Sequence, residues 1–194
     1  MCLRKKGGYL NMNLTLQQKT EIEQSVLDFC KDCNSLTSDA IDIVAIARQK
    51  GFEVQRLTLG HNTTGLLLCD QENLIAGTNT NKLIVVKKGL NEYQSRLIVA
   101  HELGHYSQMR THTQISHREY SRLKTNEDEQ KADYFARAIL MPKGQTINLI
   151  NTLKKENKTD KEIISKISEY FRVTINKANI RYYEIKELYS LEMI

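Results

Sequence analysis

The sequence predicts an α+β fold, and three observations carry that prediction. Apolar residues recur at helical spacing on both sides of a central stretch. Between Phe52 and Lys87 the pattern switches to short apolar or β-branched runs broken by Gly, Asn and Asp. Cap residues followed three positions later by Glu or Gln, at Asn91/Gln94 and Thr159/Glu162, mark helix starts after that stretch. The predicted order is two helices, a small, mostly antiparallel sheet of four strands, two further helices and a helical C-terminal tail.

Residues 15 to 32 read as the first helix, with Ile22, Val26, Leu27 and Cys30 at helical spacing. A second runs from about Asp39 to Lys50, with Thr37 or Ser38 as its cap and Gly51 as its stop. The strands are expected at Phe52 to Leu59, Thr64 to Cys69, Asn73 to Gly77 and Leu83 to Lys87. Asn91 opens a helix that reaches about Met109, and a polar loop to Asn126 precedes a helix ending near Met141 and Pro142. The tail reads as three helices: Gln145 to Asn157, Lys161 to Phe171 behind the Thr159 cap, and a last one capped by Thr174 that passes through Tyr182 and Leu188.

Composition narrows the class. The 194 residues are 40% hydrophobic and 26% charged, ordinary for a globular chain with one sizeable core. Three of the five net positive charges come from Arg4, Lys5 and Lys6, leaving +2 from Met12 onward. That balance is too weak to argue for nucleic acid as a partner. No stretch approaches the ~18 apolar residues of a membrane helix, and the N-terminus lacks a secretory apolar segment, so a cytoplasmic protein is expected. Cys2, Cys30, Cys33 and Cys69 form no dense disulfide framework and are expected to be reduced. Codons for Lys6-Gly7-Gly8 can spell a purine-rich ribosome-binding sequence a few codons before Met12. Met12 is therefore expected as an alternative start, and residues 1–11 are expected to be a leader or a disordered segment.

The chemistry lies in HELGH. Residues four apart share one face of a helix, so His101 and His105 can direct two ring nitrogens at one tetrahedral zinc. Zinc lowers the pKa of a bound water to ~7, and Glu102 beside the first ligand is positioned to take its proton as that water attacks a carbonyl. The competing reading is a pair of surface histidines on an amphipathic helix. It is weakened by context, because the motif follows a strand and a capped helix start.

A catalytic zinc usually keeps three protein ligands. A metzincin would have its third histidine six residues after His105, where Thr111 stands, with glycine at the position of Gln108. His112 and His117 read as solvated loop residues. The acids Glu127, Asp128 and Glu129 are the better source, although acids in a first helical turn also complement the helix dipole. With Ala132, Phe135, Ala136, Ile139 and Leu140 as the buried face, Glu127 points away and the other two flank that face. Glu129 is preferred because Asp133 follows four residues later, able to accept a hydrogen bond from the free ring nitrogen of a ligand histidine. HExxH with a later Glu-x-x-x-Asp is the gluzincin arrangement of thermolysin-like enzymes. The residue that would stabilise an oxyanion is left open among Tyr106, His112, His117, Tyr120 and Tyr134.

On the runs RLIVAHELGHY (Arg96 to Tyr106) and EQKADYFARAILMP (Glu129 to Pro142), the chain resembles the ImmA/IrrE family of small bacterial metallopeptidases. A weaker likeness extends to FRVTINKANIRYYEI and covers most of residues 38 to 185. The resemblance implies a zincin-like metallopeptidase domain in residues 12–142 with a helical extension, 143–194, packed on the same domain. It implies Zn2+ held by His101, His105 and Glu129, with Glu102 as catalytic acid/base and Asp133 behind a ligand. It further implies a protein substrate, a helix-turn-helix repressor of a mobile element or of a stress or toxin–antitoxin system. In such peptidases an edge strand commonly holds the substrate, and Leu83 to Val86 is the sequence candidate.

Two other functions compete. One is a non-catalytic, zinc-stabilised module that binds and displaces a repressor or antitoxin. The other is a DNA-binding regulator using the tail, where ten Lys or Arg face seven Asp or Glu, a net +3 that is weak for DNA. Intact Glu102 favours catalysis, since a purely structural site has no use for it. The Cys30-x-x-Cys33 pair has no βαβ context and no second pair, and reads as coincidence.

Overall fold

The computed structural model describes residues 14–33, 40–70, 74–109 and 125–192. Among them are seven helices and one three-stranded sheet: α1 (Leu16–Cys30), α2 (Ile43–Gln49), β1 (Glu53–Leu57), β2 (Gly65–Cys69), β3 (Lys82–Lys87), α3 (Glu92–Met109), α4 (Asn126–Leu140), α5 (Lys143–Lys155), α6 (Asp160–Phe171) and α7 (Ile175–Glu192). This is the α+β class that the sequence predicts. No described helix is long and apolar enough to cross a membrane.

Helix starts follow from local chemistry. Thr15/Gln18, Asn91/Gln94, Thr125/Asp128 and Thr159/Glu162 each close a reciprocal cap, satisfying backbone N–H groups that the first turn leaves without partners. The start of α2 differs from expectation. Asp42 is its cap, accepting from the Ala45 N–H at 3.0 Å, while Thr37 and Ser38 lie outside the described residues. Gly51 ends that segment at φ +86°, a left-handed conformation that glycine adopts without a Cβ clash.

The sheet is mixed, in the order β1-β3-β2, where a largely antiparallel one was expected. β3 runs parallel to β1, with Glu53 opposite Leu83, and antiparallel to β2, with Gly65 opposite Val86. Leu83, Ile84, Val85 and Val86 are all buried, so β3 is covered on both faces, as a central strand must be. The edge role assigned to Leu83 to Val86 is thereby overturned, because both flanks of β3 are already hydrogen-bonded. The strand expected at Asn73 to Gly77 is also absent from its described part. Leu74 to Gly77 enter a turn in which the Thr78 N–H and hydroxyl both donate to the Ile75 carbonyl, and Gly77 has φ +79°.

One buried cluster joins residues of α1, α2, the sheet, α3 and α4 to Ile150 and Leu153 of α5, Ile163, Ile167 and Phe171 of α6, and Tyr182 and Ile185 of α7. Charged side chains tie α7 to that core. Arg137 of α4 makes a bidentate pair with Glu184, Nη2 donating to Oε1 at 2.6 Å and Nε to Oε2 at 3.2 Å, and Arg181, fully buried, reaches Glu23 of α1 at 2.6 Å. Cys30, Cys33 and Cys69 are free thiols. Burial, then the neighbouring Cys33, pushes the Cys30 thiol up to about 11, against the opposing pull of Lys50. Alkylation of Cys30 in the native protein near neutral pH is therefore expected to be about two orders of magnitude slower than that of a free cysteine. Mass-spectrometric labelling kinetics, compared with the denatured chain, check this.

Candidate metal centre

α3 and α4 pack more extensively on each other than any other pair of helices, and Gly104 explains how closely they approach. A Cβ on Gly104 would lie 2.9 Å from the Cα and 3.0 Å from the carbonyl oxygen of Ala132, closer than real carbons sit. Glycine costs about 1 kcal/mol of helix propensity relative to alanine, and here it lets two backbones meet at the level of the metal-ligating residue types. Gly104→Ala is expected to cost about 1–3 kcal/mol through overpacking and to weaken metal retention by pushing Glu129 away from the histidines. Thermal unfolding together with metal content per chain checks both effects.

Across this contact three side chains converge. The Nε2 atoms of His101 and His105 are 3.0 Å apart, His101 Nε2 is 3.3 Å from Glu129 Oε2, and His105 Nε2 is 3.5 Å from Glu129 Oε1. Four ligands at ~2.05 Å around a tetrahedral ion are separated from one another by about 3.3 Å, so the spacing fits such an ion. The donor set fits as well. Two neutral imidazoles and one carboxylate are a recurrent catalytic set for zinc, leaving a fourth position open. Among the described residues, His101, His105 and Glu129 are the group of His, Cys, Asp or Glu able to hold a metal ion.

Asp133 lies behind the first histidine, with Oδ1 3.0 Å from His101 Nδ1. An N–H donated there leaves Nε2 as the nitrogen turned toward the other two ligands. Burial alone would lower the His101 imidazole, but the hydrogen bonds to Asp133 and Glu129 and the charge of Glu102 outweigh it and hold it up at about 9. Burial would likewise raise Asp133; His101 and the charge of Lys177, whose Nζ is 3.9 Å away, bring it below the usual carboxylate range.

Glu102 is buried beside the ligand pair, and Gly65 at the start of β2 lies against it. A Cβ at Gly65 would stand 2.7 Å from Glu102 Oε1 and 2.4 Å from Ile98 Cγ2, so glycine is what allows the edge strand to approach the carboxylate. The other acids of α4 are engaged elsewhere. Asp128 Oδ2 accepts from the Thr125 N–H at 2.6 Å as part of the helix cap, and Glu127 meets Gln18 at 2.6 Å and Lys131 at 2.8 Å. Of the residues left open for an oxyanion, Tyr134 is buried and donates to Glu23 at 2.9 Å. Tyr106 stacks edge-on against Phe52 at 4.9 Å. His112, His117 and Tyr120 lie outside the described residues.

Sequence reasoning did not single out Gly65, Gly104 or Lys177. A signal existed for Gly104 alone: a glycine inside an otherwise well-formed, capped helix usually marks a close backbone approach.

Comparison with known proteins adds two findings. The peptidase M78 family, described as the IrrE N-terminal-like domain, matches residues 47–183. No curated protein matches the sequence. Among seven solved chains that are similar is a Mycobacterium tuberculosis transcriptional regulator, at 16% identity and a TM-score of 0.54. The likeness covers 82% of this chain but only 45% of the regulator, and it is one of fold.

Proposed function

This chain belongs to the IrrE N-terminal-like peptidase family, and from that membership we propose that it is a zinc-dependent endopeptidase acting on a cytoplasmic regulatory protein. The substrate class is a helix-turn-helix repressor of a mobile element, a stress regulon or a toxin–antitoxin system. The observation that carries the reading is the convergence of two imidazole nitrogens and a carboxylate from separate helices, beside a buried glutamate that is none of the three ligands.

In this reading His101, His105 and Glu129 hold the ion. When bound, zinc supplies Lewis acidity, lowering the pKa of a coordinated water to ~7 and polarising a carbonyl oxygen. Glu102 accepts a proton from the attacking water on a carboxylate oxygen and returns it to the departing amine nitrogen. Its burial beneath Gly65 limits competition from bulk water for that proton. Asp133 fixes the His101 ring by accepting from Nδ1.

In this reading β2, and not β3, is the strand that pairs with the substrate. It is an edge strand, its far side carries no strand among the described residues, and it begins against Glu102. An extended peptide paired along it would pass directly over the general base. Residues 12–142 and 143–194 act as one unit in this reading, supported by the buried cluster shared between them.

The test incubates the zinc-loaded protein with the regulatory protein encoded beside its gene and measures fragment masses. Cleavage at defined bonds, lost on chelation and restored by zinc, is expected. A regulator that stays intact yet is released from its DNA would replace the peptidase with a displacing module.

A further inference from the structure

α3 has a second flank. Ser95 and Arg96 lie about 120–140° around the helix from His101, and there α2, β1, β3 and the end of α6 enclose a cavity of about 530 Å³. Cavities of this size commonly take small organic molecules. Its walls are aliphatic side chains from α2, β1, β3 and α3, with three guanidinium groups, Arg56, Arg96 and Arg172, and two carboxylates, Asp42 and Glu92, set among them.

Among the described residues, two buried polar atoms in that wall have no hydrogen-bond partner, Ser95 Oγ and Arg96 Nε. The two residues are 6% and 8% exposed. Arg96 uses one terminal nitrogen, Nη2, to donate to the Phe171 carbonyl at 3.2 Å, which leaves its Nε edge unused. Two acids of the lining, Asp42 and Glu92, offset part of the Arg96 charge. Glu92 pairs with Arg172 at 2.6 Å, and Asp42 caps α2. Burial, and next the like charge of Arg172, hold the Arg96 guanidinium below its usual range. A buried cation with an unpartnered donor, a buried hydroxyl on the preceding residue and aliphatic walls form an anion site that no side chain among the described residues completes.

The geometry points to a binding site for a small organic anion, its one carboxylate or phosphate group drawn to the Arg96 guanidinium in the cavity wall, with Ser95 on the preceding residue, and its apolar body against the aliphatic side chains. Arg56, exposed on β1, stands at the mouth and adds charge. This site is separate from the metal centre and does not depend on hydrolysis.

Calorimetric titration of the full chain with phenyl phosphate, with benzoate and with inorganic phosphate tests it. One aryl anion is expected to bind per chain, more tightly than inorganic phosphate, in zinc-loaded and chelated protein alike. Arg96→Met is expected to weaken binding by about tenfold or more and Arg56→Gln by about threefold. Replacing a half-satisfied buried charge by an apolar side chain of similar volume is often tolerated, so Arg96→Met is expected to fold. Should it not fold, Ser95→Ala and Arg56→Gln, each expected at about threefold or more, carry the test. Failure of both aryl anions to bind overturns the assignment, as does affinity unchanged in the folded variants. Binding that disappears on chelation but survives Arg96→Met would belong to the metal centre and equally overturn it.

Discussion

Glu102→Gln is expected to reduce peptide hydrolysis by about 10²–10⁴-fold while leaving metal content at the wild-type level. Glutamine has the volume of glutamate, so the close approach of Gly65 at the start of β2 survives. Its amide cannot take a proton from water near neutral pH, and only the proton transfer is lost. Metal content should hold because His101, His105 and Glu129 do not include this position. The measurement is kcat on a cleaved substrate beside zinc per chain, with His101→Ala as the contrasting variant that loses both. A Glu102→Gln protein that turns over at the wild-type rate would remove the general base from the mechanism.

The second large effect concerns stability, far from the metal. Arg181 is fully buried, and Glu23 meets it at 2.6 and 3.1 Å while also accepting from Tyr134. Burial alone would lower the Arg181 guanidinium, but the Glu23 charge outweighs it and keeps that group charged. Removing one member of a buried pair typically costs about 3–5 kcal/mol, because the remaining charge stays desolvated. For Glu23→Gln the lower end, about 3 kcal/mol, is expected, since Glu184 remains 3.8 Å from Arg181 and the Met141 carbonyl still accepts from its Nε. In a chain of this size that corresponds to a fall in Tm on the order of 10 °C. Denaturant unfolding gives the figure directly. Glu23→Leu combined with Arg181→Met is expected to recover most of the loss, whereas a purely local packing defect would not be repaired by the second change.

What could be read from the sequence divides by the range of the interaction. The caps at Asn91 and Thr159 are exchanges within four residues, so their residue types reveal them before any fold is known. HExxH is equally local, since one helical turn brings its two imidazoles together. Strand pairing is not local. A run such as Leu83 to Val86 looks the same at an edge or in the middle of a sheet, and only the parallel partnership with β1 decides. The run at Asn73 to Gly77 has β-branched and apolar content but ends in a turn held by Thr78, a contact that hydropathy does not register. Helical phase left Asp128 and Glu129 as equals. The later Asp133 favoured Glu129, and Thr125 with Asp128 held an equally legible reason, since that aspartate closes the cap of its own helix. Arg96 could not be recognised, because an arginine on a helix is ordinary until its burial is known.

A helix is stiff, and α3 carries both imidazoles on one side and the lining of a cavity on the other, about 9 Å apart along the axis between Ser95 and His101. The two histidines therefore cannot be adjusted one at a time. Any push that slides or rolls this rod shifts both nitrogens together against a carboxylate riding on a different rod. The glycine where the rods touch leaves no slack to absorb the displacement. The coordination geometry of this protein is thus set by how two stiff rods lie against each other, one carrying both imidazoles and the other the carboxylate.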